Sequence, residues 1–318
     1  MNTNFAISTV VQNVLAELEI QRKKIVKTQT QGWILIILGI LIIIIAASFV
    51  GLIISILLGA AAAVPGAVML YQISDDTAQY KRRYKNEVIG ASFSAIDQNL
   101  ILSPENGISE TEFIASQLFT TEPDRYHSED LVTGKIEKTS FYFAEVHAEY
   151  KTETQTKNGR QVSWHDILKG IVFTADFNKH FNGVTVIRPK DFGSSLGAWF
   201  AKNIYSFGDK NVVELENVTF NSNFVVYSTD QIEARYILTP ALMEKIGELN
   251  QRSTYTVSLS FINSNMYIAF PLDKNYFEAP VFKTLLRADL LDEDMSVLKF
   301  MYEIVHELDL NTRIWTKQ

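Results

Sequence analysis

Histidines close to carboxylates mark the places where this sequence could bind a metal or perform acid–base catalysis. The chain has five histidines, and neither an HExxH motif nor an HxH pair occurs among them. In the stretch DFNKH, Asp176, Asn178 and His180 would point to one side of a strand, because side chains alternate between its two faces. Such a group suits a metal ion or an acid–base pair. Polar residues at the end of a strand explain the pattern as well, so both interpretations stay open.

Two other histidines lie near carboxylates in the sequence. His165 directly precedes Asp166 in the stretch WHD, and Glu145 and His147 would share one face of a strand. The alternative function that these residues suggest is a hydrolase or a ligand- or metal-binding domain, using polar groups near His165, Asp176 and His180.

Signatures of the common cofactor-dependent enzymes are missing. Neither a phosphate loop GxxxxGK nor a dinucleotide fingerprint GxGxxG occurs. The stretch GSSLG at 193–197 is interpreted as a loop from its composition, since neither of its serines has a base beside it in the sequence. The lack of cysteine excludes disulfides, cysteine-ligated zinc, iron–sulfur clusters and thiol catalysis. We therefore predict no catalytic residue, no cofactor and no metal ligand.

The distribution of charge argues against a nucleic-acid-binding protein. Residues 1–85 carry eight basic and four acidic side chains, whereas the rest of the chain carries 21 basic and 32 acidic ones. Proteins that bind nucleic acid need a positive surface, because contacts with phosphates supply much of the affinity. The larger, acidic part of the chain is therefore predicted not to bind nucleic acid.

A long apolar run dominates the N-terminal part of the chain. From Trp33 to Ile73, 41 residues pass without one charged side chain. As a single helix this run would reach roughly 60 Å, about twice the hydrocarbon thickness of a bilayer. We therefore predict two membrane spans, Trp33 to Phe49 and Leu52 to Tyr71, joined by a turn at Ser48 to Gly51. A cleaved signal peptide is not expected, because its apolar region would be shorter and closer to the N-terminus.

Basic residues lie at the outer ends of the two spans. They are Lys23, Lys24, Lys27, Lys81, Arg82, Arg83 and Lys85, and the turn between the spans has none. Because basic residues favour the cytoplasmic side of a membrane, we predict that both termini are cytoplasmic and that the turn faces outward. Binding of lipid headgroups is a secondary role for the same residues.

Small residues recur along both spans. In the second span Gly51, Ser55, Gly59, Ala63 and Ala67 follow each other at intervals of four, and in the first span Gly32, Gly39 and Ala46 recur at intervals of seven. Small side chains let helix backbones approach each other closely in a bilayer. Two interpretations stay open: the residues pack the two spans of one chain together, or they form an interface between molecules.

The segments next to the spans are predicted to be helical. Apolar residues before the first span form a narrow seam at spacings of three and four, interrupted by Gln21; they are Ile7, Val11, Val14, Leu18 and Ile25. A similar period continues after the second span through Tyr80, Tyr84 and Val88. We expect two long helices that extend beyond the membrane and pack on each other.

The rest of the chain has the pattern of a β-sheet with a few helices. Strands are predicted within 134–153, 170–177, 183–189, 211–216 and 223–228, followed by a β-hairpin with its turn at 263–265. Helices are predicted at 231–237, after Thr239 and Pro240, from Val281 to Leu291, and from Asp294 to about Leu308. Strands with segregated helices indicate an α+β fold with a mixed, mainly antiparallel sheet. The predicted divisions are an amphipathic cytoplasmic helix (1–32), the membrane spans (33–73), a juxtamembrane helix (74–100) and a cytoplasmic α+β domain (101–318).

One short helix of this domain is predicted to form a structural corner. Asp230, with Glu233 three residues later, has the spacing of a capping box at the start of QIEARYI. Arg235 on the same helix is expected to form an ion pair with these two acids. We interpret the three residues as an ion-paired corner between a strand and a helix, and a binding site is the alternative.

The order of these features resembles the bacterial domain-of-unknown-function family 3137. The resemblance is carried by two spans followed by LVTGKIEKTSFYFAEVHAEY, GIVFTADFNKHFNGVTVIRP and FVVYSTDQIEARYILTPALMEKI, and it extends over roughly residues 80–310. It implies a bacterial inner-membrane protein and transfers no reaction, since the family has none assigned. It also implies LemA-family membrane proteins as partners.

Together these features predict a non-catalytic, membrane-anchored protein that assembles with itself or with another membrane protein. The two spans, their small residues and the apolar seam are the observations behind this prediction. A membrane-tethered hydrolase or a ligand- or metal-binding domain is the alternative.

Overall fold

The computed structural model describes residues 9–156, 159–177, 180–190, 211–253 and 256–308. The chain divides into two compact units. The first contains Met1–Ala95 and Phe277–Glu293, and the second contains Ile96–Tyr276 and Asp294–Gln318. The stretch from Phe277 to Glu293, here called the anchor segment, follows the last strand of the second unit in sequence and yet belongs to the first.

Two long helices make up most of the first unit. Helix α1 is Thr9–Val50 and helix α2 is Leu52–Arg83, with Gly51 alone between them. Gly51 has a φ of 84°, a left-handed conformation that glycine adopts without steric cost. Both helices are long and apolar enough to cross a membrane. A π-helical turn, Tyr84–Ile89, and helix α3, Gly90–Ile96, follow α2.

The two long helices pack along a seven-residue period. On α1 the buried residues include Val11, Leu15, Leu18 and Ile25, followed by Gly32 and Gly39. On α2 they are Ser55, Gly59, Gly66, Ile73 and Tyr80. In the predicted seam Leu15 is buried where Val14 is only half-buried, and Ile7 lies outside the described residues. A period of seven drifts by only about 20° per repeat, so a slight supercoil keeps one face in contact over many turns.

The second unit is built on a β-sheet. Within the described residues, nine strands form one sheet in the order β1-β2-β3-β4-β9-β8-β5-β7-β6, and all neighbours are antiparallel. The strands are β1 Ile101–Ser103, β2 Arg125–Ile136, β3 Thr139–Thr156, β4 Gly159–Asp176, β5 Thr185–Pro189, β6 Asn211–Val213, β7 Phe224–Ser228, β8 Ser258–Ile262 and β9 Asn265–Pro271. The predicted α+β fold with a mainly antiparallel sheet is confirmed.

Short helices accompany the sheet. They are α4 Glu110–Ala115, α5 Val218–Asn223, α6 Gln231–Ile237, α7 Pro240–Arg252 and α8 Asp292–Glu307. Thr239 caps α7 through its side chain, which accepts a hydrogen bond from the Leu242 amide, and Pro240 stands at the first helical position. This is the arrangement that the Thr-Pro pair predicts.

The helix predicted from Val281 to Leu291 is wrong, because these residues form bends and turns. Several backbone groups in and directly before this stretch bond to side chains of α1 and α2. The carbonyls of Pro280 and Val281 accept from Tyr80 and Arg22, and the Leu285 amide donates to Glu19. Helix α8 begins only at Asp292.

One hydrophobic core cluster of the second unit lies on one face of the central strands. Ala144, Val146 and Ala148 of β3 pack with residues before, within and after α4, namely Ile108, Phe113 and Leu118. Because side chains alternate along a strand, Glu145, His147 and Glu149 lie on the opposite face. Phe141 and Phe143 are buried on the same side of β3 as Glu145, so this side is polar only from Glu145 to Glu149.

Candidate functional site

The contact between α1 and α2 depends on glycines. A Cβ atom added to Gly39 would lie 2.6 Å from the Gly59 carbonyl oxygen, and one added to Gly59 would lie 2.3 Å from Ile43 Cγ1. A second close approach joins Gly32 and Gly66, where an added Cβ on Gly66 would lie 2.6 Å from the Gly32 carbonyl oxygen. The backbones thus touch at two levels where any larger residue would force the helices apart.

The structure shows which of the predicted small residues lie in the contact between α1 and α2. Ser55 is buried and its Oγ donates to the Gly51 carbonyl at 2.7 Å, Ala63 contacts Gly39, and Ala46 is half-buried. Ala67 is exposed, and its neighbour Gly66 makes the contact instead. A stripe with a period of four rotates by about 40° per repeat and so leaves the contact face after a few turns. The small residues that remain in contact pack two helices of one chain.

The outer faces of the two helices are covered with large apolar side chains. Ile44 and Phe49 of α1 and Ile53 and Leu57 of α2 are each more than 60% exposed. Soluble proteins rarely leave a continuous apolar surface of this extent open to water. A lipid bilayer is the environment in which such a surface is stable.

A buried ion pair on α1 holds the anchor segment. The Arg22 guanidinium donates to both carboxylate oxygens of Glu19, at 2.8 and 2.7 Å, and Nη1 donates to the Val281 carbonyl at 2.9 Å. Glu19 accepts in addition from the Leu285 amide at 2.9 Å. Glu19 is 3% exposed and Arg22 is 8% exposed. The two charges neutralise each other and use their remaining hydrogen-bonding capacity to fix the backbone of the anchor segment.

Electrostatics at this pair favour the charged form of Glu19. The hydrogen bonds from Arg22, together with the Leu285 amide and the Arg22 charge, lower the pKa of Glu19 from 4.5 to about 2, although burial acts in the opposite direction. The pair is therefore fully charged at neutral pH.

Further contacts bind the anchor segment to α2, to the π-helical turn and to α3. The Tyr80 hydroxyl donates to the Pro280 carbonyl at 2.7 Å, and the rings of Phe93 and Phe277 meet edge to face at 5.3 Å. Lys85 lies 2.7 Å from a carboxylate oxygen of Glu278. Burial raises the pKa of Tyr80, so its hydroxyl keeps the proton that it donates.

The predicted membrane-flanking basic residues have different surroundings. Lys24 pairs with Asp76 at 3.0 Å, Arg83 with Glu87 at 2.8 Å, and Lys81 with Glu278 at 3.5 Å. Lys85 is buried, whereas Lys23, Lys27 and Arg82 are exposed or partly exposed. Several of these side chains thus hold the helices and the anchor segment together in addition to carrying positive charge.

The candidate residues His165, Asp176 and His180 do not converge, and the site predicted around all three is wrong. His165 and Asp176 lie on the same strand, eleven residues and roughly 36 Å apart. His165 contacts the Thr152 hydroxyl at 2.9 Å. His180 is exposed and lies 3.4 Å from the Ser264 hydroxyl, near the β8–β9 turn. Asn178 and the stretch GSSLG, whose spacing fits the GxSxG pattern of a nucleophile elbow, lie outside the described residues.

The predicted corner at α6 forms, but differently. The Asp230 side chain accepts from the amides of Ile232 and Glu233, and Glu233 accepts from the amides of Asn182 and Gly183 at 3.2 and 2.8 Å. Arg235 is exposed and donates to the Gln231 carbonyl of its own helix. Backbone amides, not an ion pair with Arg235, are therefore the partners of the two acids. The amides that bond to Glu233 belong to the turn before β5. This turn is about 50 residues away in the sequence, so spacing alone could not predict the contact.

Sequence reasoning placed Glu145 and His147 on one face of a strand but missed the residues of β2 and β4 that share this face. In the sheet register Glu129 lies opposite Glu145, His127 opposite His147, and Arg125 opposite Glu149. Glu145 accepts from the Tyr276 amide at 2.6 Å, and a small open pocket beside it is lined by both histidines, Lys169 and Lys274. The alternation of Glu145, His147 and Glu149 along β3 is the sequence signal that indicates this polar face. Its partners on β2 and β4 follow only from the register.

Comparison with protein families identifies part of this architecture. Residues 166–310 match the model of the family described as "Protein of unknown function (DUF3137)". This part of the chain is thus similar to the DUF3137 family. The match begins within β4 and runs through α8, so it covers the corner at α6 and the anchor segment. The resemblance predicted over roughly residues 80–310 is thus confirmed for the part from 166 to 310.

Two other comparisons concern solved structures and curated proteins. Among solved structures, the chain is similar to the crystal structure of the mycobacterial trehalose monomycolate transport factor A, TtfA, with a TM-score of 0.41 and 10% sequence identity. This similarity covers 75% of this chain and 99% of that one. A search of curated proteins finds no match.

Proposed function

We propose that this chain is a membrane-anchored, non-catalytic assembly protein of the bacterial inner membrane. In this proposal α1 and α2 form a transmembrane hairpin, and residues 101–318 form a domain on the cytoplasmic side. The observation that carries the proposal is the glycine-packed helix pair with its exposed apolar surface.

The proposed topology follows from charge. The basic residues that flank the apolar run lie on one end of the helix pair, and Gly51 lies at the other end between two uncharged segments. Basic residues favour the cytoplasm, so both termini are proposed to be cytoplasmic and Gly51 to face outward.

We expect single cysteines to report this topology, because the chain has none of its own. Ser48→Cys, next to the turn, should react with a membrane-impermeant maleimide in intact cells. Gln79→Cys, on the basic side of α2, should react only after the membrane is permeabilised. Both positions are exposed, so access to the reagent decides the result. The opposite labelling pattern would contradict the proposed orientation, and equal labelling of both would contradict membrane insertion.

The assembly part of the proposal is supported by exposed apolar side chains outside the apolar run. On the anchor segment Phe282 is 77% exposed and Leu286 is 63% exposed, although their neighbours Val281 and Leu285 are bound to α1. Exposed apolar groups on a fixed backbone are suited to contact another protein. The proposed partner is a second copy or another membrane protein, LemA-family proteins among them. The acidic character of the chain beyond residue 85 supports no nucleic-acid partner.

Cross-linking in native membranes tests the assembly. A photoactivatable maleimide on Phe282→Cys should give a product with twice the mass of the chain, or one in which mass spectrometry identifies a LemA-family protein. Val218→Cys is the control, because Val218 is 81% exposed on the second unit. If Phe282→Cys yields only the monomer, or if both positions give the same products, the assembly proposal fails while the topology result stands.

A further inference from the structure

We propose that His147, Glu149 and Asp166 form a binding site for a divalent transition-metal ion such as Zn²⁺. Independently of the role of the helices, this inference assigns a ligand-binding site to the polar face of β3 and β4. One imidazole nitrogen and two carboxylates are ligands that Zn²⁺ accepts.

The three side chains are already close to one another. Their potential ligand atoms all lie within 4.8 Å of each other, and His147 Nε2 lies 2.8 Å from Asp166 Oδ1. Zinc binds such atoms at about 2.0–2.2 Å, which places neighbouring ligand atoms of a tetrahedral site roughly 3.4 Å apart. Small rotations of exposed and half-buried side chains are enough to reach that geometry. Three protein ligands leave a coordination position for water or for another ligand.

A β-bulge brings Asp166 into this group. His147 pairs with Lys169 and Ala148 with Leu168, but Glu149 then pairs with Asp166, so Ile167 is the extra residue on β4. In a regular register Asp166 would oppose Tyr150 and point to the apolar face. Bulges of this kind redirect side chains, and they are frequent next to functional sites.

The bulge also places two carboxylates directly opposite each other. Like charges in this position destabilise a strand pair, and a bound cation would remove that repulsion. Arg125 lies 3.9 Å from Glu149 and offsets part of the negative charge, while its guanidinium stacks on Trp164 at 3.4 Å. Lys169, opposite His147 on β4, acts in the same direction. We therefore expect modest affinity.

A second histidine lies next to the proposed site. His127 lies directly opposite His147 on β2, and its Nε2 is 3.6 Å from Glu129. The pocket beside Glu145 is lined by both histidines, so it opens next to the proposed ion. A metal at this position would present its free coordination site to that pocket.

Calorimetric titration of the detergent-solubilised full chain with ZnCl₂ tests the proposal. We expect one Zn²⁺ per chain, with binding weakened at least about tenfold by His147→Ala and by Asp166→Asn, since loss of even an outer-shell partner costs tenfold to 100-fold. His165→Ala is the matched control. It removes a histidine next to Asp166 whose ring lies on the other side of the strand, near Tyr150 and Thr152.

A second readout separates binding from folding. Zinc should raise the unfolding temperature of the parent and of His165→Ala, because a ligand that binds only the folded state stabilises it. The rise should vanish in His147→Ala and Asp166→Asn, while their unfolding temperatures without zinc stay close to that of the parent. No binding by the parent, unchanged binding in both site variants, or an equal loss in His165→Ala would each overturn the proposal.

Discussion

Replacing Gly66 by leucine is expected to force α1 and α2 apart. A Cβ atom at this position would lie 2.6 Å from the Gly32 carbonyl oxygen and 2.9 Å from Leu35 Cβ. Backbone atoms cannot move aside as the end of a flexible side chain can. Overpacking of a tight contact typically costs about 1–3 kcal/mol, and leucine at a backbone-to-backbone contact belongs at or above the upper end of that range.

The adjacent residue provides the matched control for this experiment. Ala67 is exposed, so Ala67→Leu adds bulk to the outer face and should leave the helix pair intact. Spin labels on Lys24→Cys and Asp76→Cys, whose native side chains meet at 3.0 Å between the helices, report the separation. The distance distribution should lengthen and broaden in Gly66→Leu and should stay narrow in Ala67→Leu. A larger effect of Ala67→Leu than of Gly66→Leu would mean that the four-residue stripe, and not the seven-residue period, forms the contact.

Glu19→Gln is expected to release the anchor segment. The change leaves the Arg22 guanidinium buried without its counter-charge and turns one of the carboxylate oxygens that accept its hydrogen bonds into an amide nitrogen. Removing one partner of a buried ion pair costs on the order of 3 kcal/mol. Hydrogen–deuterium exchange of residues 277–293 should therefore become faster, while exchange in the central strands of the second unit should change little.

Two variants control for the loss of charge. Lys23 lies 3.9 Å from the same carboxylate but is exposed, so Lys23→Gln should alter exchange hardly at all. The double variant Glu19→Leu with Arg22→Met removes both charges and should be less disturbed than Glu19→Gln, because no unpaired charge remains. If Lys23→Gln and Glu19→Gln behaved alike, net charge and not the buried pair would hold the segment.

The same ion pair gives a defined dependence on pH. The pKa of Glu19 is lowered from 4.5 to about 2 in the folded chain. A lowered pKa contributes stability that is fully present above pH 4.5 and is lost as the pH falls toward 2. The protection of residues 277–293 against exchange, relative to the intrinsic exchange rate at each pH, should thus fall in this window in the parent, and Glu19→Gln should lack that step.

Several features of the chain could be predicted because they depend on local sequence. The length of the apolar run requires a reversal, and Gly51 is the residue at which both helices can end. Thr239 and Pro240 start α7 because capping needs only the following turn. The α+β fold follows from strand alternation and helical periods, which are likewise properties of neighbouring residues.

Other features were decided by residues far apart in the sequence. A seven-residue contact requires the partner helix, and so Gly66 rather than Ala67 packs against α1. The stretch from Val281 to Leu291 has a helical pattern, but its Val281 carbonyl bonds to Arg22 and its Leu285 amide to Glu19. Glu19 and Arg22 lie three residues apart on α1, and their bonds to the anchor segment could not be read from that spacing. Asp166 reaches His147 and Glu149 because one extra residue shifts the register of two strands. A sequence sets which groups are available within one turn or one strand, whereas burial and register depend on what the rest of the chain places against them.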